Sequence, residues 1–349
     1  MLYDLFDTEI SPVFASVLLG LGLGVVFGAA AQISRFCLRR GVVEGPERAQ
    51  AAGVWVTALI VALLGTQFAL LRSGLDFSEH RFFVSDIPVA AIALGGLLFG
   101  AGMVLTRGCV SRLTVLSATG NLRAASVLIV FAIVAHATLK GILAPLRVSL
   151  GSVTVDAGAV SLADLPGGVP LWTAFLVFGL GALVWRSGAK RTHLVAAAII
   201  GALVPLGWFG TGVFLYDDFD PIALTSLSFT APWADTMFWT IASSAIPAGF
   251  GVGLVGGVLA GSFLSAATRG QLELQSFESP RQTLRYVSGA ALMGVGGVLA
   301  GGCTLGAGLS GVPTLSFAAI LGLIAIVVGA RAADRALRHA PNAAAVAAE

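Results

Sequence analysis

Long apolar stretches recur along the whole chain, and they constrain its fold more than any other feature of the sequence. A single α-helix needs about 20 mainly apolar residues to cross the hydrocarbon core of a bilayer. Stretches of about that length occur at nine places: 13–33, 50–71, 88–106, 125–146, 170–185, 193–215, 238–261, 284–301 and 313–330. The chain is therefore predicted to be an all-α polytopic integral membrane protein with about nine transmembrane helices.

The composition excludes a soluble protein. Hydrophobic residues make up 57% of the chain, charged residues only 11%, and the mean hydropathy is +0.93. A soluble domain has roughly 25% charged residues, so most of this surface is expected to face lipid. The three cysteines form no C-x-x-C pair, which indicates neither a disulfide framework nor a zinc site. The sequence also lacks a Walker A motif, so ATP hydrolysis by this chain is not expected.

The loop charges predict an orientation. With the N-terminus outside, all but four of the twenty basic residues fall in loops assigned to the inside. The four exceptions are Arg72, Arg81, Lys140 and Arg147. Loops rich in arginine and lysine stay on the cytoplasmic side of a membrane. The sequence therefore predicts an N-terminus outside and a C-terminus inside.

Two glycine-rich segments predict an internal repeat. Residues 100–109 read GAGMVLTRGC and residues 294–303 read GVGGVLAGGC, with six of ten positions identical. In the predicted topology these segments run in opposite directions, as an inverted repeat requires. A weaker pair, 24–37 and 253–266, runs in the same direction in both halves. Either one span is misplaced or some of these segments are re-entrant.

The predicted organisation is a single transmembrane domain over residues 1–340, followed by a disordered tail at 341–349. Within the domain we predict two pseudo-symmetric, inverted halves at about 13–147 and 238–330. Helices at 170–215 link the halves, and short re-entrant or broken helices accompany the nine spans.

Interior glycines predict where helices break. Each glycine inside a helix costs about 1 kcal/mol relative to alanine, so segments 102–121 and 296–314 make poor continuous helices. Non-helical backbone at membrane depth is tolerated only where it is buried in protein or lines a cavity. Free N–H groups at the resulting helix N-termini attract anions. The alternative, close helix packing at Gly-x-x-x-Gly spacings, is preferred for most of the 45 glycines.

The three cysteines all lie at the ends of glycine-rich apolar segments, and Gly108-Cys109 and Gly302-Cys303 occupy equivalent places in the repeat. A thiol is a weak donor and a weak acceptor, which suits a soft ligand that contains sulfur. Alternatively, Cys37, Cys109 and Cys303 are small apolar residues that pack well among glycines. Recurrence at equivalent places strengthens the functional interpretation, and both interpretations stay open.

Arginines flank one of these cysteines. Arg107 and Arg112 lie on either side of Cys109, and an arginine within the membrane is a functional candidate by default. The alternative is that each anchors the chain at the cytoplasmic interface. The candidate ligand contacts are Arg107, Gly108, Arg112, Gly302 and Thr304.

Three motifs resemble the YeeE/YedE family of bacterial thiosulfate transporters. They are QISRFCLRRG (32–41), GMVLTRGC (102–109) and GGCTLGAGLSG (301–311). The resemblance extends over about residues 15–330. It implies an hourglass-shaped bundle of pseudo-symmetric halves that moves thiosulfate from the periplasm to the cytoplasm.

The resemblance also implies roles for residues and partners. Cys37, Cys109 and Cys303 match the cysteines that pass the ion along a central path by S–H···S hydrogen bonds, without covalent chemistry. The resemblance implies a bacterial inner-membrane protein, for which the orientation predicted from the loop charges places the N-terminus in the periplasm and the C-terminus in the cytoplasm. A TusA-like sulfur carrier is an expected separate partner, whereas no enzyme activity, cofactor, metal or nucleic-acid partner is expected. Open alternatives are another sulfur or selenium substrate, a membrane sulfurtransferase that forms cysteine persulfides, and a structural subunit with incidental cysteines.

Overall fold

A computed structural model describes residues 11–78, 80–156, 158–217 and 219–339 of the protein. The described chain is mostly helical, with very little strand. Its helices are α1 (Pro12–Ser34), α2 (Leu38–Val42), α3 (Arg48–Ser73), α4 (Val89–Leu105), α5 (Val110–Ala118), α6 (Leu122–Lys140), α7 (Ala144–Gly151), α8 (Gly168–Arg186), α9 (Arg191–Phe209), α10 (Thr230–Ala242), α11 (Phe250–Thr268), α12 (Pro280–Leu299) and α13 (Phe317–His339). A wide π-type helical segment at Thr304–Gly311 precedes α13, and two short strands, β1 (Asp86–Ile87) and β2 (Val155–Asp156), pair antiparallel.

The predicted membrane fold is confirmed. Within the described ranges, nine helical segments are long and apolar enough to cross a bilayer. Several of them extend past a break into one of the short helices α2 and α5 or into segment Thr304–Gly311. The predicted tail at 341–349 lies outside the described residues.

The position of the predicted span at 238–261 is wrong. Helix α10 ends at Ala242, and the spanning helix α11 begins only at Phe250. Pro247 and Gly249 lie between them. Proline lacks a backbone N–H and clashes with the preceding turn, so the apolar run breaks here into a short helix and a shifted span.

Helices α1 and α11 pack in parallel at van der Waals distance. A methyl group added at Gly20, Gly24 or Gly28 would come within about 3 Å of the backbone nitrogens of Leu254, Val258 and Ser262, respectively. The partner advances by four residues in the same direction each time, which requires parallel helices. Glycine-rich faces allow membrane helices to approach this closely. The weaker predicted repeat pair therefore does run in the same direction.

Helices α4 and α12, which carry the stronger repeat pair, pack antiparallel. Gly102 faces Met293, and a methyl added at Gly102 would lie 2.8 Å from the Met293 nitrogen. Gly95, nearer the start of α4, faces Leu299 near the end of α12. The two Gly-Cys steps that follow these helices therefore lie toward opposite ends of the bundle. The single domain over residues 1–340 and the inverted pseudo-symmetry of its halves stay predictions.

Contacts between loops define the two faces of the bundle. At one face, called here the arginine-rich face, Asn121 donates to Gln275 (2.7 Å) and Arg338 donates to the Glu44 carbonyl (2.6 Å). At the opposite face the Ser316 hydroxyl donates to the Phe82 carbonyl (2.6 Å). Strands β1 and β2 pair at that face as well, close to the start of α4.

Candidate functional site

All three cysteines follow the same local break in the backbone. A long helix ends, one residue adopts a left-handed conformation, and the cysteine follows two positions later. The left-handed residues are Arg35 (φ 51°), Arg107 (φ 58°) and Gly301 (φ 72°). Arginine rarely adopts positive φ, because its Cβ crowds the backbone there. Such strain persists where the surrounding fold holds it, and it is concentrated at functional sites.

Each cysteine is also the N-cap residue of the helical element that follows it. Cys37 precedes α2, Cys109 precedes α5 and Cys303 precedes segment Thr304–Gly311. The Cys303 sulfur accepts a hydrogen bond from the Gly306 N–H at 3.5 Å. The first N–H groups of a helix lack partners within the helix and carry partial positive charge. Each thiol is thus held beside donors that favour an anion.

The structure brings Cys37 and Cys109 together. Their sulfurs lie close enough to interact directly, and both side chains are buried. The Cys109 sulfur also lies 3.3 Å from the Ser111 hydroxyl. The sequence did not indicate this pairing, because the spanning helix α3 lies between Cys37 and Cys109 in the chain. The result is a pair of soft donor–acceptor groups in one place.

Arginines surround this cysteine pair. Arg39 and Arg112 are near enough to Cys37 to interact with it electrostatically, and Arg107 is similarly close to Arg39. The Arg39 Nε and Arg112 Nη1 atoms are buried and have no hydrogen-bond partner among the described residues. Guanidinium groups are suited to oxyanions because their donors match oxyanion geometry. Of these three, Arg39 was not among the candidate ligand contacts that the sequence predicted.

The other predicted contacts have mainly backbone roles. The Gly108 carbonyl accepts a hydrogen bond from the Thr106 hydroxyl at 3.0 Å, which fixes the step into Cys109. Gly302 packs against the Ala307 nitrogen, where a methyl would come within 2.8 Å. Thr304 is fully buried, and its hydroxyl makes no hydrogen bond within the described structure.

Arg81 lies beside Cys303, and sequence analysis missed it. The guanidinium is close enough to interact electrostatically with the Cys303 sulfur, although Arg81 belongs to the loop between α3 and α4 at the opposite face. The side chain is exposed although many protein atoms lie around it, so it lies in a recess at this face. The available signal was that Arg81 is one of few basic residues predicted outside.

The neighbours of Arg81 anchor it at this place. Its guanidinium lies 5.2 Å from the centre of the Phe82 ring. A methyl group added at Gly301 would lie 3.7 Å from that ring, and one added at Gly311 would lie 2.8 Å from it. Burial lowers the pKa of the adjacent His80 imidazole to about 4, and the Arg81 charge contributes in the same direction. His80 is therefore neutral near pH 7, so Arg81 supplies the positive charge of this recess.

Together these elements suit a small anion with a soft end. Each face of the bundle carries a buried thiol, helix N-terminal N–H groups and at least one arginine. Among the described residues, no three His, Cys, Asp or Glu side chains cluster so as to hold a metal ion. The arrangement therefore offers a small anion several weak contacts along the interior of the bundle.

Comparison with known proteins agrees with the resemblance seen in the motifs. The profile of a family described as "Sulphur transport" matches residues 27–332. The thiosulfate transporter TsuA of Escherichia coli (strain K12) is 26% identical over 346 residues, covering 90% of this chain and 93% of the relative. The thiosulfate transporter TsuA of Spirochaeta thermophila is 27% identical over 332 residues, covering 89% and 96%. Both relatives are named as transporters, in agreement with the prediction of a transporter rather than an enzyme.

Proposed function

The chain belongs to the sulphur-transport family, also described as YeeE/YedE, and from this premise we propose that it imports thiosulfate across the bacterial inner membrane. The observation that carries the proposal is the common setting of Cys37, Cys109 and Cys303. All three are buried, and each lies at a broken helix end beside an arginine. The names of the two relatives support thiosulfate as the ion.

Thiosulfate has chemistry that matches this setting. The dianion carries a soft terminal sulfur at one end and three hard oxygens at the other. Thiols interact with the soft end by S–H···S hydrogen bonds, while backbone N–H groups and guanidinium groups interact with the oxygens. Conduction needs several weak sites so that the ion can leave each one. Three separate thiols provide such sites without forming a covalent bond.

The proposed path begins in the recess at Arg81 and passes Cys303. It continues to the pair formed by Cys109 and Cys37 and ends among the arginines of the arginine-rich face. In this path Arg107, Gly108, Arg112, Gly302 and Thr304 are the candidate ion contacts. The order follows from the antiparallel helices α4 and α12, whose Gly-Cys ends lie toward opposite faces.

The proposed direction follows from the distribution of charge. A face rich in arginine is expected to lie in the cytoplasm, which places the N-terminus in the periplasm and the C-terminus in the cytoplasm. Uptake then runs from Arg81 to the cysteine pair. A separate TusA-like sulfur carrier is proposed to receive sulfur at the cytoplasmic face. Its thiol would take the terminal sulfur of thiosulfate as a persulfide while the S–S bond of thiosulfate breaks and sulfite leaves, and this consumption would keep the concentration gradient directed inward.

The proposal is tested by uptake of radiolabelled thiosulfate. Cells that lack other thiosulfate importers and produce this protein should accumulate label and grow with thiosulfate as the sulfur source. No uptake, even with the carrier present, would contradict the proposal. Competition with unlabelled ions tests the choice of substrate. A different substrate is indicated if selenite, or a sulfur oxyanion other than thiosulfate, suppresses uptake of the label more strongly than unlabelled thiosulfate does. A stable persulfide on Cys109 in intact-protein mass spectra would indicate a sulfurtransferase instead.

Neutralising Arg81 should weaken capture of the ion. We expect Arg81→Gln to raise the KM for uptake about tenfold, because one charge-assisted contact at the recess is lost. Arg81→Lys should recover part of the loss, since the charge remains but the planar fork does not. The matched control is Arg72→Gln, because Arg72 lies near the same face with its guanidinium over Phe68. Equal effects of the two glutamine variants would show that only overall surface charge matters.

A further inference from the structure

Buried hydroxyls in this chain usually donate to the carbonyl one helical turn earlier. Thr106 donates to Gly102 (2.9 Å), Thr114 to Val110 (2.9 Å) and Thr138 to Val134 (2.8 Å). This is the ordinary way in which threonine is satisfied inside a helix. Three hydroxyls near Cys303 do not follow it. The buried oxygens of Ser228, Thr230 and Thr304 make no hydrogen bond with the described part of the chain.

The local backbone explains why these hydroxyls have no helical partner. Thr230 is the first residue of α10, and Thr304 is the first residue of segment Thr304–Gly311, so neither has a helical carbonyl one turn earlier. Ser228 lies in the non-helical stretch just before α10. The side chains of Thr304 and Thr230 are 0% and 5% exposed. A buried donor without a partner costs free energy, so these positions need a reason to carry hydroxyls.

Two of these hydroxyls lie at the first helical turn after Cys303. The Ser228 oxygen lies 2.8 Å from the point where a methyl on Gly306 would be, and the Gly306 N–H donates to the Cys303 sulfur. Thr304 follows Cys303 directly. Gly306 thus leaves space between the Ser228 hydroxyl and the start of the segment.

The third hydroxyl approaches the helix that leads to the same thiol. The Thr230 oxygen lies 3.1 Å from the methyl position of Gly297 on α12, and α12 ends just before Cys303. Helix α10 and segment Thr304–Gly311 therefore both begin in this region. Their free N–H groups add to the donors that the hydroxyls provide.

We propose that Thr304, Ser228 and Thr230 form an oxyanion subsite of uncharged hydroxyl donors near Cys303. In this inference, which rests on the proposed function, the hydroxyls donate to the oxygens of a sulfur oxyanion while its terminal sulfur contacts the thiol. Hydroxyls add contacts near Cys303 without a further charge, so they hold a dianion that must move on less strongly than an additional guanidinium would. The subsite orients the ion and distinguishes a ligand with both a soft and an oxygen end from sulfide.

Equilibrium binding of radiolabelled thiosulfate to the purified protein tests this subsite. We expect Thr304→Val, Thr230→Val and Ser228→Ala each to raise Kd about tenfold or more, because a hydrogen bond to a charged ligand is lost. Thr304→Ser retains the hydroxyl and should bind nearly as well as the unmodified chain. The matched control is Thr138→Val, whose lost hydroxyl serves only the Val134 carbonyl. Thermal unfolding identifies variants that are misfolded. Among folded variants, weaker binding by Thr304→Val than by Thr304→Ser shows that the hydroxyl itself contacts thiosulfate.

The outcomes separate this inference from the proposed function. Unchanged Kd in all three hydroxyl variants, with normal thiosulfate uptake by the unmodified chain, would overturn the subsite alone and leave water as the partner of these hydroxyls. Weaker binding in the variants without uptake by the unmodified chain would support the subsite and contradict the transport proposal. Neither binding nor uptake by the unmodified chain would overturn both.

Discussion

Thiosulfate uptake should fall to background when Cys109 is replaced by alanine. In the proposed path, Cys109 and Cys37 form the only step where two thiols lie side by side among the described residues. Removing one leaves the ion's soft sulfur without a matching partner in a buried, low-dielectric region, where each missing contact has its full effect. Cys109→Ser should transport weakly, because a hydroxyl can donate but is harder and smaller than a thiol.

Initial rates of labelled uptake, normalised to the amount of protein in the membrane, provide the measurement. Ser16→Ala is a suitable control, because Ser16 is equally small and buried but its hydroxyl donates only to the Val13 carbonyl (2.6 Å). That variant should transport normally. Normal uptake by Cys109→Ala would eliminate the thiol relay, although thiosulfate import by another route would remain possible.

Adding a single methyl group between α1 and α11 should destabilise the protein strongly. In Gly24→Ala the new methyl would collide with the Leu254 carbonyl, and in Gly257→Ala it would collide with the Leu21 carbonyl. Either methyl would also lie 3.0 Å from the Cα of the other glycine. Backbone cannot rotate away as a side chain does, so the helices must separate along their length. Overpacking of this kind costs about 1–3 kcal/mol or more.

We expect each substitution to lower the unfolding temperature of the purified protein by roughly 1–4 °C, and we expect the double variant to fail to accumulate. The chain contains a matched control for each substitution: Gly22 lies two positions before Gly24, and Gly256 lies one position before Gly257. A methyl on Gly22 or Gly256 would meet nothing within 4 Å. Gly22→Ala and Gly256→Ala should be neutral or slightly stabilising, since alanine is the better helix former. Similar melting of all four variants would mean that the close α1–α11 contact does not contribute to stability.

The spans were predictable because the bilayer sets a minimum length for an apolar helix that crosses it. A helix must present about 20 apolar residues to the bilayer wherever it packs, so apolar run length alone located nine spans. Run length misplaced the span around residues 238–261, where an apolar run continues across Pro247 and Gly249 although the helix does not. Hydropathy is insensitive to backbone breaks, and a break there converts part of one run into the short helix α10.

The site was predictable in part for a related reason. Gly-Cys pairs can be read directly from the sequence. Cys109 and Cys303 were therefore identified as candidate site residues by their recurrence, and Cys37 was identified by its motif. The shared left-handed residue two positions before each cysteine was not visible, because arginine occupies that place twice and glycine once. Composition suggests positive φ only where glycine is present.

Membrane residence, helix content, the approximate number of spans and the identity of the three thiols were thus determined by the sequence itself. These properties depend on local composition, which any conformation of the chain would retain. Only the tertiary structure decided that Cys37 lies beside Cys109 and that Arg81, from a distant loop, comes close enough to Cys303 to interact electrostatically. It also left the hydroxyls of Ser228, Thr230 and Thr304 without a hydrogen-bond partner among the described residues. Such features depend on how helices far apart in sequence approach one another. In this protein that approach is set by glycine faces whose partners no local pattern specifies.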